Sequence, residues 1–240
     1  VSNKLLVESK NDMLFVQALI DYLNLEGIEI DIPICQPDDY ECMEGLNASK
    51  LEEALTIIKR SLVKERIEKI GIIIDQDSKP AAERLSLVNE AIKNVFETEE
   101  EIEDTGKFIK IRDQDDDTSA MELACFLTNV DGEGELETVL RAIKAEESVY
   151  ADCLESWRTC LKDHHKKISD KDFDKFWVNN YIRFDTCRRR ERKQAGRKCS
   201  MSAFEYVMTR KTEIWDFDHA VLNEFKNFLH LFASQHRQDA

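Results

Sequence analysis

Lys4-Leu5-Leu6-Val7-Glu8-Ser9-Lys10-Asn11-Asp12 and Ile70-Gly71-Ile72-Ile73-Ile74-Asp75-Gln76-Asp77 are short apolar runs that each end in acid. An uninterrupted apolar run bounded by polar residues predicts a strand buried on both faces, the signature of a parallel sheet covered by helices. In open sheets of that kind, ligands lie beyond the carboxyl ends of the strands, where Glu8, Asp75 and Asp77 fall. Side chains two apart on an extended chain point the same way, so Asp75 and Asp77 are expected to converge on one point. Carboxylates gathered there repel one another unless a cation joins them, and hard oxygen ligands suit Mg²⁺ or Mn²⁺.

Outward from these two strands the chain alternates. Asn11 or Asp12 caps a helix with Phe15, Val16, Leu19, Ile20 and Leu23 on one face, and Gly27 is its expected stop. Residues 28–35 alternate apolar and polar and carry Pro33, which predicts an edge strand. A helix is expected over about 49–64, then the core strand 67–75, then a long helix opened by Ser78 and Pro80 with Leu85, Val88, Ile92 and Phe96 on its buried side. Strands follow around Phe108–Ile111 and over 121–128, separated by the polar stretch Asp113-Gln114-Asp115-Asp116-Asp117. A Gly-containing turn at 131–134 then leads into a helix through Ile143. The order strand, helix, strand, helix, strand, helix, strand, strand, helix predicts an α/β domain over 1–147. From 148 to 240 the pattern is helical, with segments near 149–167, 171–184, 202–210 and 219–234, and this region is expected to pack on the sheet.

Composition narrows the class. The 240 residues, 42% hydrophobic and 35% charged, suit a soluble globular protein large enough to bury a substantial core. A net charge of −15 argues against nucleic-acid binding by the surface as a whole, because neutralising phosphates needs clustered Lys and Arg. One such cluster exists, Arg188-Arg189-Arg190-Glu191-Arg192-Lys193 continuing to Arg197 and Lys198. No apolar stretch is long enough to span a membrane and no greasy leader precedes the first strand, so a cytoplasmic protein without a membrane partner is expected. The seven cysteines are odd in number and include no C-x-x-C pair, so reduced thiols are expected rather than zinc ligands or disulfides.

Leu5-Leu6-Val7-Glu8 together with Ile72-Ile73-Ile74-Asp75-Gln76-Asp77 resembles the topoisomerase/primase (TOPRIM) domain, whose pattern is Glu after the first strand and D-x-D after a later one. More narrowly, the sequence is similar to small stand-alone TOPRIM-like proteins near the overcoming-lysogenization-defect (OLD) nucleases. Val7-Glu8-Ser9-Lys10-Asn11-Asp12 matches their V-E-G-x-x-D motif with Ser9 in place of glycine, and Gly134-Glu135-Leu136-Glu137 matches their G-x-L-E. The resemblance covers the first ~140 residues with the spacing of a compact domain. Beyond them it is loose, through Trp215-Asp216-Phe217-Asp218 and the apolar final helix.

The resemblance implies a TOPRIM/Rossmann-like sheet and metal-dependent phosphoryl transfer on DNA or RNA, in a setting of phage defence. It also implies Mg²⁺ or Mn²⁺ held by Glu8, Asp12, Asp75, Asp77 and Glu137, with Glu135 as a further candidate, and Glu8, Asp75 and Asp77 as the catalytic set. Two cations about 4 Å apart stabilise both the attacking and the leaving oxygen of an in-line displacement. Such a pair needs several acids. OLD proteins fuse this module to an ATPase, whereas this chain has no G-x-x-x-x-G-K-[ST] loop, so the resemblance implies a separate AAA/ABC-type ATPase partner.

Each feature also has a plainer explanation. Asp75 and Asp77 are equally at home in a strand-ending turn, Asp12 at a helix cap, and Glu135 and Glu137 in a helix's first turn. Arg188, Arg189, Arg190, Arg192, Lys193, Arg197 and Lys198 read either as a track for a nucleic-acid backbone or as a solvated loop. The lysine that many related nucleases place near the metals is matched by spacing alone at Lys79 or Lys144. A non-catalytic TOPRIM-like regulatory subunit is the alternative, and the oligomeric state is left open. A haloacid-dehalogenase-like phosphatase fits poorly because Lys79 stands where Thr or Val is wanted, and no G-x-G-x-x-G follows the first strand for a dinucleotide.

Overall fold

A computed structural model of the chain describes residues 2–36, 45–113 and 116–234. In order these form β1 (Ser2–Val7), α1 (Lys10–Leu23), β2 (Ile28–Ile30), α2 (Ala48–Ser61), β3 (Ile67–Asp75), α3 (Ala81–Val95), β4 (Ile109–Asp113), β5 (Asp116–Thr128) and α4 (Leu136–Ala142). Helices α5 (Val149–Asp163), α6 (Asp170–Asn180), α7 (Ala195–Lys198), α8 (Phe204–Arg210) and α9 (Asn223–His230) complete the chain, with short 3₁₀ turns between them and a single π-helical turn at Tyr181–Asp185. The α/β alternation and the helical remainder are those expected from the sequence. Cys42 and the Gln114–Asp115 part of the polar stretch lie outside the described residues.

The chain divides into two compact units. One takes the described residues through Thr128 together with those from Glu224, and the other runs from Asn129 to Asn223. The last helix thus belongs with the sheet, and the boundary lies nearer 128 than 147.

In the first unit the sheet order is β2-β1-β3-β5-β4, with β2, β1, β3 and β5 parallel and β4 antiparallel to β5. Buried β3 lies between β1 and β5 because its stretch Ile70–Ile74 leaves no side for water. Alternate residues feed two cores. Leu6, Ile70, Ile72, Ile74, Leu123 and Cys125 meet Leu51, Leu55 and Ile58 of α2 and Leu85, Val88 and Ile92 of α3. On the opposite face Phe126 packs on Phe225 and Phe228, Phe225 touches Phe15 of α1, and Phe232 lies against Phe228 and Phe108.

Local boundaries differ from the sequence expectation where side chains reach the backbone. Ser9, rather than Asn11 or Asp12, caps α1, and Asp12 completes a capping box with it. Asn24 in left-handed conformation ends that helix ahead of Gly27. Strand β2 stops at Ile30, before Pro33, which supplies no N–H to a ladder. Pro80 itself caps α3.

The second unit is organised on Tyr181. Its ring stacks on Trp177 and leans on Trp215, each at 5.4 Å between centroids, while its hydroxyl donates to the Ile214 carbonyl and accepts from the Glu146 N–H. Burial pushes this phenol up to about 12. Trp177 and Trp215 are buried core anchors, whereas Trp157 is partly exposed beside Phe176. The reduced-thiol expectation is overturned. Cys187 and Cys199, with Cα atoms 5.6 Å apart, are disulfide-bonded, and so is Cys35, while Cys125, Cys153 and Cys160 are free. Spacing in sequence carries no signal for a pair brought together by a folded loop.

Gly71 has no room for a side chain, because a Cβ there would lie 2.4 Å from Leu5 Cδ2 and 2.9 Å from Phe232 Cζ. Gly71→Ala is expected to destabilise the protein by about 2 kcal/mol through overpacking, read as a lower urea midpoint.

Candidate functional site at the strand ends

Register brings the two opening motifs together. Val7 pairs with Ile73, so the residue after β1, Glu8, comes level with the end of β3, and Asp75 pairs onward with Thr128. Glu8 Oε2 accepts from the Asp75 N–H at 3.1 Å and from Arg84 Nη2 at 3.1 Å. Arg84 also donates through Nε to the Asp75 carbonyl at 2.8 Å and stands 3.9 Å from Asp77 Oδ2. Residues 8, 75 and 77 therefore share one place in the fold, with a guanidinium at its centre. The Arg84 side chain is 6% exposed and that of Glu8 13%.

Arg84 was not singled out by sequence. Its signal was present, because it sits beside Leu85 on the stripe that continues through Val88, Ile92 and Val95, and a charged residue on an apolar stripe needs a partner. Although their spacing predicts it, Asp75 and Asp77 do not converge by the pleat of an extended strand. Strand β3 ends at Asp75 and Asp77 is left-handed at φ 56°, so the two do not alternate as on an extended chain. Asp77 instead reaches the cluster through the turn, and Asp75 contributes its main-chain N–H and C=O.

Asp12 is buried and engaged locally. Its Oδ2 accepts from the Ser9 N–H at 2.9 Å and the Ser9 hydroxyl at 2.6 Å, which fixes the turn after Glu8. Among the described residues, these acids do not bring three donor atoms close enough together for one ion, and the cluster that does is Cys187, Glu191 and Cys199. Lys79 is exposed and paired with Glu83, and Lys144 pairs with Asp152.

Glu135 and Glu137 belong to the second unit. Gly134 at φ +100° has no room for a Cβ beside Thr138, and Thr138 Oγ1 accepts from the Glu135 N–H at the start of α4. Glu135 pairs with Lys171 at 2.8 Å and Lys175 at 3.6 Å, and Thr138 donates to Asp174, which also holds Arg141. Glu137 is buried too. Desolvation first, and the charge of Glu135 second, raise its carboxyl above the ordinary range.

Of the basic run, Arg188 pairs with Glu213 at 2.7 Å and Lys198 lies over the Tyr206 ring. Arg189, Arg190, Arg192, Lys193 and Arg197 are exposed. His164 and His165 are exposed as well. Among the described residues no helix is long and apolar enough to cross a membrane.

Residues 2–234 match the family model described as protein of unknown function DUF3226. The chain belongs to the DUF3226 family. No curated protein and no solved structure matches it. The DUF3226 match spans both units, so the strand-end cluster and the basic loop lie within one family sequence.

Two outcomes follow from the electrostatics. Arg84→Met leaves Glu8 without its buried counter-charge and is expected to cost about 3 kcal/mol in urea unfolding. For Glu137, the folded state holds its proton above the ordinary 4.5, so the stability tied to that proton is fully present below about 4.5 and is lost as pH rises through the raised value. Glu137→Gln is therefore expected to raise the melting temperature at pH 8 and to change it little at pH 4.

Proposed function

We propose that the protein is a Mg²⁺- or Mn²⁺-dependent nuclease hydrolysing phosphodiesters of DNA or RNA, with Glu8, Asp75 and Asp77 as its metal-holding acids. The observation that carries this reading is the convergence of Glu8 and Asp77 on Arg84 at the carboxyl ends of adjacent parallel strands, where α/β sheets receive ligands. The resemblance of both motifs to TOPRIM and OLD nucleases supports the same chemistry.

The donor set suits a hard cation. Glu8 and Asp77 bring carboxylate oxygens to a place flanked by apolar strands, with Asp75 beside them at the end of β3, and hard oxygen donors suit a divalent ion. Such an ion, when bound, supplies charge for the phosphoryl oxygens and lowers the pKa of an attacking water. The chain's own residues do the remaining work. Arg84, whose Nε and Nη2 already donate to the Asp75 carbonyl and to Glu8, would set a fixed positive charge beside a phosphate, and the Ser9–Asp12 capping box holds Glu8 at the end of its strand. The exposed cations between 188 and 198 would neutralise backbone phosphates. A separate AAA/ABC-type ATPase and a role in phage defence follow from the resemblance alone.

One observation favours a second reading. Arg84 already supplies a counter-charge to Glu8 without any metal, which would suit a TOPRIM-like subunit that regulates a partner without catalysis. The test incubates the full chain with plasmid and with RNA in Mn²⁺, and titrates Mn²⁺ by calorimetry. Binding and cleavage are expected, with an Asp75→Ala/Asp77→Ala variant slower by about a hundredfold. Cleavage that persists in the variant would remove these residues from the mechanism. Absence of Mn²⁺ binding, with stable co-purification of an ATPase, would establish the regulatory subunit.

A further inference from the structure

The Cys187–Cys199 disulfide encloses the entire basic run, Arg188 to Lys198. Its two sulfurs sit in different surroundings. Cys187, buried but for 5% of its surface, lines a groove of about 220 Å³ with Tyr150, Arg183, Phe184, Arg192 and Ala195, whereas Cys199 is 0% exposed. Behind Cys199 lies Lys211, itself 2% exposed, with Nζ 3.6 Å from the Cys199 sulfur, 3.3 Å from Glu191 Oε2 and 3.1 Å from the Thr186 carbonyl it donates to. Glu191 is held in place by the Arg188 N–H at 3.0 Å.

We propose that this bond is a thiol–disulfide exchange site whose substrate is a dithiol reductant, attacked at Cys187 from the groove and opening the basic loop 188–198. A thiolate of the reductant forms a bond to the Cys187 sulfur, the Cys187–Cys199 bond breaks, and its electron pair leaves on Cys199. The reductant's second thiolate then attacks its own sulfur in the mixed disulfide and releases Cys187. The reductant ends as a disulfide, two electrons having passed to the protein, and the two cysteine thiolates take up protons. A stabilised leaving thiolate speeds such exchange: the Lys211 ammonium, 3.6 Å from the Cys199 sulfur, favours the thiolate, and the Glu191 carboxylate, 4.0 Å from the same sulfur, offsets part of that charge.

Cys187, Glu191 and Cys199 also have the ligand types of a zinc site. Lys211 argues against an ion there, because its ammonium is already the cation of this buried cluster and a divalent ion would be placed beside it. Opening the disulfide would release both ends of a segment carrying seven Lys and Arg residues and a single acid, Glu191. Neither sulfur chemistry nor loop release depends on the nuclease reading, and the measurements below involve no nucleic acid.

The full oxidised chain is treated with dithiothreitol under native conditions, alkylated at intervals with iodoacetamide and mapped by peptide mass spectrometry. The free cysteines act as internal controls: exposed Cys153 and Cys160 should label without reductant, and buried Cys125 should stay unlabelled while the fold is intact. Expected are Cys187 and Cys199 labelled only after reduction, Cys187 first, with tryptic cleavage inside 188–198 accelerated about tenfold. Cys199→Ser is expected to form a mixed disulfide with oxidised glutathione at Cys187 faster than Cys187→Ser does at Cys199. Lys211→Met is expected to slow reduction about tenfold. Labelling of both cysteines before reduction, their protection by a stoichiometric zinc ion, or labelling only once Cys125 also reacts would each overturn the proposal. The wild-type labelling order decides even where a variant does not fold.

Discussion

A strand with no wettable side has to be covered twice, and in the first unit that demand falls on Ile70–Ile74. Helices α2 and α3 meet one face, and α1 with the aromatic cluster of Phe225, Phe228 and Phe232 meets the other. Each fully buried Leu, Ile or Phe contributes roughly 1.5–3 kcal/mol from apolar area removed from water, so this covering is the main stabilising force for the sheet. It also sets a register. With Val7 opposite Ile73, the polar residues that end both strands must emerge side by side at one edge.

That edge gathers charge that the apolar strands beneath cannot solvate. Arg84 answers it by donating to both a side chain, Glu8, and a main-chain carbonyl, Asp75, which fixes a guanidinium more tightly than either bond alone. Charged hydrogen bonds of this kind are worth about 1.5–3 kcal/mol each net of solvation, yet removing one member leaves the others buried and uncompensated. The site is thus rigid where it touches Arg84, and Asp77 stands farther off at 3.9 Å.

The second unit uses polar side chains differently. Tyr181 and its two tryptophans form an aromatic centre, Asp185 accepts from the N–H groups of Tyr150 and Ala151 at the start of α5, and Asp174 ties Thr138 to Arg141. The motif Gly134-Glu135-Leu136-Glu137 is absorbed into this framework at Glu135, which pairs with two lysines of α6, whereas Glu137 remains a buried acid with a raised affinity for protons. The basic loop is likewise not a free solvated run. It is stapled at both ends by Cys187 and Cys199 and anchored inside by Glu191 and Lys211.

By itself the sequence determined the alternation of elements, because buried strands and amphipathic helices are written in the local spacing of apolar residues, as in Ile72-Ile73-Ile74 and in Leu85, Val88 and Ile92. It also marked Glu8, Asp75 and Asp77, since an acid ending an apolar run is visible without a fold. Only the tertiary structure decided that Arg84 stands among them, that Asp77 arrives through a left-handed turn, that the last helix belongs with the sheet, and that Cys187 meets Cys199. Those facts depend on pairs of residues distant along the chain or on a single backbone angle, and neither leaves a periodic trace in the residues that precede and follow it.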